Sequence, residues 1–141
     1  MYGGFYYRFD PTYLLLVIGM LLSLAASSRL KRTFATYSRI RSSSGMTGAQ
    51  AARRILNSRG LYDVQVFPVS GNLTDHYDPR TRRVCLSQAS YNQTSLAAVG
   101  VAAHECGHAV QHAENYGPLN LRSSLVPVAN LGSTLAWPLF L

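Results

Sequence analysis

The sequence predicts an α+β chain with an N-terminal transmembrane helix, a small antiparallel sheet, a central helix, and a second membrane segment begun at the C-terminus. Three observations predict it. The eighteen residues from Pro11 to Ser28 carry no charge. Short runs of β-formers flank Asp78-Pro79-Arg80-Thr81, a turn signal with proline at its second position. An alanine-rich stretch from Ser95 to Asn115 has the composition of a helix and contains His104-Glu105-Cys106-Gly107-His108.

With 141 residues the chain is long enough for one compact domain and no more. Charged residues make up 13% of it, about half the usual share for a soluble protein. Lys and Arg number 13 against 6 Asp and Glu, a formal charge of +7. Such a balance fits nucleic acid, an anionic membrane surface or acidic partners. The bases come directly after the apolar run, so membrane lipid is the expected partner and nucleic acid is not. Cys85 and Cys106 allow a single pairing, and Cys106 lies inside the histidine motif. Both are read as free thiols of a reducing compartment.

In chain order, residues 1–28 form an aromatic start and the membrane helix. Eighteen helical residues span about 27 Å, close to the hydrocarbon thickness of a bilayer. The tyrosines and phenylalanines ahead of it suit the headgroup interface. A secretory signal would carry its bases before the apolar run, and here they come after it. A buried soluble helix is seldom apolar on every face for so long. Arg29, Lys31, Arg32, Arg39 and Arg41 make residues 29–45 a basic juxtamembrane linker that ends in Ser42-Ser43-Ser44-Gly45. The positive-inside tendency puts this flank on the cytoplasmic side of the membrane, with the N-terminus outside and the rest of the domain within.

Residues 46–122 are expected to form the core. Thr47 and Gln50 make a capping box for a helix over Ala49 to Arg59, and Gly60 stops it. Leu61 to Phe67, ended by Pro68, then Leu73 to Tyr77 and Arg83 to Leu86, are the strand candidates of an antiparallel sheet. A strand beside a peptidase's central helix can pair with substrate backbone, and residues 73–86 suit that role. Asn92 or Thr94 caps the central helix, and Tyr116-Gly117-Pro118 ends it. Residues 123–141 start a second membrane segment, weakened by Pro127 and Pro138.

The central helix carries the chemistry. Residues four apart turn through about 400° and rise about 6 Å, so His104 and His108 share one face. Two neutral imidazoles so placed can hold one Zn²⁺, with Glu105 in reach of water at the metal as general base. A catalytic zinc takes a third protein ligand. His112 continues the same face, but the first and last Cα atoms then stand about 12 Å apart, so it is read as a histidine that touches substrate or a ligand, or lies on the surface. Glu114 stands ten residues after His104, a spacing that needs a glycine at 111, where Gln111 stands. Asp75, His76 and Asp78 either orient a ligand or stabilise an oxyanion, or form a polar turn with local hydrogen bonds. Cys106 points about 160° away from the histidines, into packing.

The chain as a whole resembles the YugP-like neutral zinc metallopeptidases of bacteria, membrane-anchored proteins with an H-E-x-x-H motif. The resemblance rests on Phe9-Asp10-Pro11-Thr12-Tyr13, Gly48-Ala49 with Ala52-Arg53, and Gly60-Leu61-Tyr62-Asp63-Val64. It continues through Leu73-Thr74-Asp75-His76-Tyr77-Asp78-Pro79, Gly100 to Ala109 around the motif, and Leu121-Arg122. It implies a zincin-like core and a zinc-dependent endopeptidase acting on protein or peptide substrates. His104 and His108 would be zinc ligands, Glu105 the base, and the third ligand a glutamate beyond Leu141, which makes the chain an expected fragment. Cys106 stands where the family's pattern has valine. The reading from another class is a non-catalytic membrane protein with a structural or vestigial metal site.

Overall fold

The computed structural model describes residues 10–139, which form five helices and one sheet. The aromatic start expected at a headgroup interface, residues 1–9, lies outside the described residues. The chain divides into two units, one ending at Tyr37 and the other beginning at Ser38.

Helix α1 (Pro11–Ser38), after Asp10, makes up the described part of the first unit and ends on the first residue of the second. Asp10 caps it: its Oδ1 accepts the Thr12 amide at 2.9 Å and its carbonyl accepts the Tyr13 amide at 3.0 Å. Pro11, with no amide hydrogen to leave unbonded, suits the first helical position. None of α1 is buried, so Leu14, Leu16, Leu21 and Leu24 stand exposed on its surface. Among the described residues α1 is the one helix long and apolar enough to cross a membrane. The helix continues through Arg29, Lys31 and Arg32, so the segment expected as a juxtamembrane linker is helical as far as Ser38. That segment contains neither Gly nor Pro, and extending an existing helix needs no new nucleus.

In the second unit, Ser42 to Gly45 is not a free linker either. The Ser42 amide bonds Thr94 O at 2.8 Å, the Leu96 amide bonds Ile40 O at 2.8 Å, and Gly48 N–H bonds Gln93 O at 3.0 Å. These bonds tie the segment to the approach of the central helix. Helix α2 (Gly48–Ser58) starts on the expected capping box: Thr47 Oγ1 accepts the Gln50 amide at 3.2 Å, and Gln50 Oε1 accepts the Thr47 amide at 3.0 Å. Gly60 comes next at φ +71°, the left-handed turn that only glycine takes freely.

Strands β1 (Gln65–Val69), β2 (His76–Asp78) and β3 (Arg83–Ser87) form one sheet in the order β1-β3-β2. The hairpin of β2 and β3 is antiparallel, with His76 opposite Cys85, but β1 runs parallel to β3 with Gln65 opposite Arg83. The expected all-antiparallel sheet is therefore mixed. The last strand inserts between the first two, and Val84, Cys85, Leu86 and Ser87 are buried in succession, as a covered central strand requires. Pro68 falls inside β1 instead of ending it, which an edge strand permits.

After a short turn of helix, α3 (Gln88–Tyr91), comes the central helix α4 (Leu96–Ala113). Its cap is Ser95, whose Oγ accepts the Ala98 amide at 3.1 Å, and neither Asn92 nor Thr94. Glu114 and Asn115, the latter at φ +57°, turn the chain into α5 (Gly117–Leu139). The boundary expected between residues 122 and 123 falls inside α5. Pro127 and Pro138 lie inside α5, and the last two residues of the expected second membrane segment lie outside the described residues.

The core lies where α2 and α4 pack on the sheet. Ala52 and Leu56 of α2, Val64, Val84 and Leu86 of the strand region, and Ala102, Cys106 and Ala109 of α4 are fully or almost fully buried. Ala102, Cys106 and Ala109, four and then three apart on one face of α4, are small and leave room for close approach. That face is opposite His104 and His108, so burying it turns the histidines away from the core.

Candidate metal centre

Helix α4 brings the two histidines together. Their Nε2 atoms are 3.2 Å apart and their rings meet edge to face, with centroids at 4.7 Å and planes at 82°. Two nitrogens bound at about 2.0–2.1 Å in a tetrahedral shell stand about 3.3 Å apart, so the pair has the spacing of two zinc ligands. The side-chain oxygen of Gln111, one turn on, lies 3.2 Å from Nδ1 of His108. An amide oxygen only accepts, so this bond holds the proton on Nδ1 and leaves Nε2 as the lone-pair nitrogen a metal needs.

Glu105 is 9% exposed and makes no hydrogen bond or ion pair among the described residues. A buried carboxylate without a partner is costly unless it faces a polar space. It faces one: Glu105 and His108 line a cavity of about 330 Å³ whose other walls include His76, Tyr77, His112 and Arg122. His104 is exposed and stands beside His108, not among the cavity's described walls.

The remaining expected residues divide. His76 is on the cavity wall, and its Nδ1 donates to Thr74 O at 2.8 Å, so the neutral ring presents the Nε2 lone pair. His112 is there too, with its Nδ1 2.9 Å from Tyr77 Oη. Asp78 is not brought to the cavity: Oδ1 accepts the Arg80 amide at 2.9 Å and Oδ2 the Thr81 hydroxyl at 2.9 Å. These bonds hold its carboxyl below the usual range, and of the two readings the polar turn is the one its contacts describe. Asp75 accepts from the Ser87 amide at 2.7 Å and the Ser87 hydroxyl at 3.1 Å, clamping the β1–β2 connection to the end of β3. Glu114 is the C-cap of α4. Among the described residues no three His, Cys, Asp or Glu side chains come together as a metal site. Cys106 lies in the core as helix geometry requires; its Sγ is 3.6 Å from Ala52 O, and burial pushes the thiol up to about 12.

Sequence reasoning missed Gln111 and Tyr77. The first was findable, since three residues after His108 is a helical neighbour. The second was not, because its approach to His112 depends on how β2 packs beside α4.

The model of the family described as "Putative neutral zinc metallopeptidase" matches residues 12–141. The chain is 53% identical over 120 residues to the "Putative membrane protease YugP" of Bacillus subtilis (strain 168), a match over 85% of this chain and 53% of that protein. The chain thus spans about half the length of the curated relative it matches. No solved structure matches it.

Proposed function

The chain belongs to the neutral zinc metallopeptidase family, and from that premise we propose that it carries two zinc ligands and the general base of a membrane-anchored endopeptidase. Membership implies zinc as the cofactor and protein or peptide as substrate. The observation that carries the reading is the pair of Nε2 atoms 3.2 Å apart on successive turns of α4, with Glu105, which no described residue pairs, between them in sequence and open to the cavity.

When bound, zinc supplies Lewis acidity that polarises the scissile carbonyl and acidifies the attacking water. His104 and His108 would hold it through Nε2, with a third protein ligand from outside the described residues completing a zincin-like site. Glu105 accepts the proton that water loses as its oxygen bonds the carbonyl carbon. It then delivers that proton to the amine nitrogen as the C–N bond breaks. Among the described residues strand β2 is a sheet edge on the cavity wall, and an extended substrate can add to it by backbone hydrogen bonds. The apolar length of α1 supports a membrane anchor, and Arg29, Lys31 and Arg32 support a cytoplasmic location for the second unit.

The test is Glu105→Gln in the full-length protein. The variant is expected to keep its zinc and lose peptide hydrolysis by about 10²–10⁴-fold. Cleavage at the wild-type rate would sink the assignment.

A further inference from the structure

The cavity wall holds three histidines, and their ring protons are not placed alike. Gln111 keeps the proton of His108 on Nδ1, and Thr74 O keeps that of His76 on Nδ1. Both therefore present an Nε2 lone pair. His112 differs. Its Nδ1 faces Tyr77 Oη at 2.9 Å, with ring centroids 5.8 Å apart and planes tilted by 52°.

A phenol is the better donor of the two and a neutral imidazole nitrogen the better acceptor. Tyr77 is half-buried, and burial pushes its phenol above the usual range, so the proton stays on oxygen and is available to donate. With Nδ1 accepting, the proton of neutral His112 must sit on Nε2. No group among the described residues binds that nitrogen, and the ring lines the cavity together with Glu105 and His108. Of the three rings, His112 alone offers a hydrogen-bond donor while neutral.

We propose that His112 and Tyr77 form an oxyanion-stabilising pair, in which His112 Nε2–H donates to the scissile carbonyl oxygen as negative charge gathers there and Tyr77 holds the ring in that tautomer. The proposal rests on the peptidase reading of Glu105 and the two zinc-spaced histidines. His112 is the catalytic residue, because it touches the reacting oxygen; Tyr77 is a positioning residue that acts through it. No bond to either forms or breaks, and the His112 proton stays on Nε2 throughout. A donor aimed at developing charge acts mainly on the transition state, so its loss should appear in kcat more than in KM.

The experiment uses the full-length protein in detergent, with ¹⁵N-histidine NMR for the tautomer, metal analysis for zinc, and fluorescein-labelled casein as the substrate probe. Expected are a protonated Nε2 and an unprotonated Nδ1 at His112, and a mixture of tautomers in Tyr77→Phe. His112→Phe should lower kcat about 10²–10³-fold at unchanged zinc content. His112→Gln, which restores an N–H near the Nε2 position, should recover part of that loss, and Tyr77→Phe should fall between wild type and His112→Phe. A proton on Nδ1 of His112 in the wild type overturns the proposal, whatever the activity. So does zinc loss in His112→Phe, or equal kcat in all the variants while Glu105→Gln is inactive; the peptidase reading would survive the second result. Absence of any Glu105-dependent cleavage, with the tautomer as expected, overturns the catalytic role through failure of the peptidase reading itself.

Discussion

The side-chain oxygen of Gln111 accepts from Nδ1 of His108 at 3.2 Å, one helical turn beyond the histidine it orients. It occupies the position where a chain that bends back on itself would need glycine. In this chain α4 continues as a helix to Ala113, and the residue serves the histidine instead.

Gln111→Leu should therefore weaken zinc binding by about 10–100-fold while leaving the helix content unchanged, as loss of a partner behind a metal-binding histidine does. Competition with a zinc-sensitive dye measures this. Equal affinity in the variant would show that His108 is oriented by something else.

Zinc should also stabilise the folded chain through linkage, by about 2.7 kcal/mol when free zinc is a hundredfold above its dissociation constant. Thermal unfolding of the full-length protein in detergent should show this as a rise in Tm on adding zinc and a fall on adding chelator. In His104→Ala and in His108→Ala the zinc-dependent part should vanish. A persisting shift in both variants would place the metal elsewhere.

Cys106 should be inert in the native protein. Burial pushes its thiol from 9.0 up to about 12, so at pH 8 the thiolate is roughly one part in ten thousand. Iodoacetamide at pH 8 should label neither Cys106 nor the buried Cys85 until denaturant is added. The native state holds the Cys106 proton more tightly than the unfolded chain. Its contribution to stability is therefore complete below pH 9 and is lost as pH rises from 9 towards 12. Rapid native labelling of Cys106 at pH 8 would contradict this placement.

Gly48→Ala should destabilise the second unit. A Cβ at Gly48 would overlap the carbonyl oxygen of Ser90 and come within 2.9 Å of its carbonyl carbon, both backbone atoms that cannot swing aside. Overpacking of this kind costs about 1–3 kcal/mol, more than alanine's better helix propensity returns. For a unit of this size the loss lowers Tm by about 5 °C or more. An unchanged Tm would mean that α2 and the α3 turn separate freely.

Local rules made much of this chain legible. The uncharged run of α1, the Thr47–Gln50 capping box, the stop at Gly60, the Asp78-Pro79 turn and the shared face of His104 and His108 follow from spacing and residue type alone. Each involves residues within one or two turns of each other, where backbone geometry decides the outcome. Errors came where a local signal competed with a distant partner. Ser42 to Gly45 has the composition of a linker, yet Thr94 and Gln93 hold it in place, and Pro68 looks like a strand end only until β1 is known to be an edge.

Residue order is thus enough to specify a membrane-length helix, a small sheet, and a helix bearing two histidines at metal-site spacing with a glutamate beside the first. Tertiary packing alone sets β3 between β1 and β2, turns Glu105 to a cavity where no described residue pairs with it, and brings Tyr77 to His112. The difference is one of reach. Helical spacing fixes which side chains share a face, but which strand lies against that face depends on the packing of α2, β3 and α4 into one core, and no local pattern encodes that.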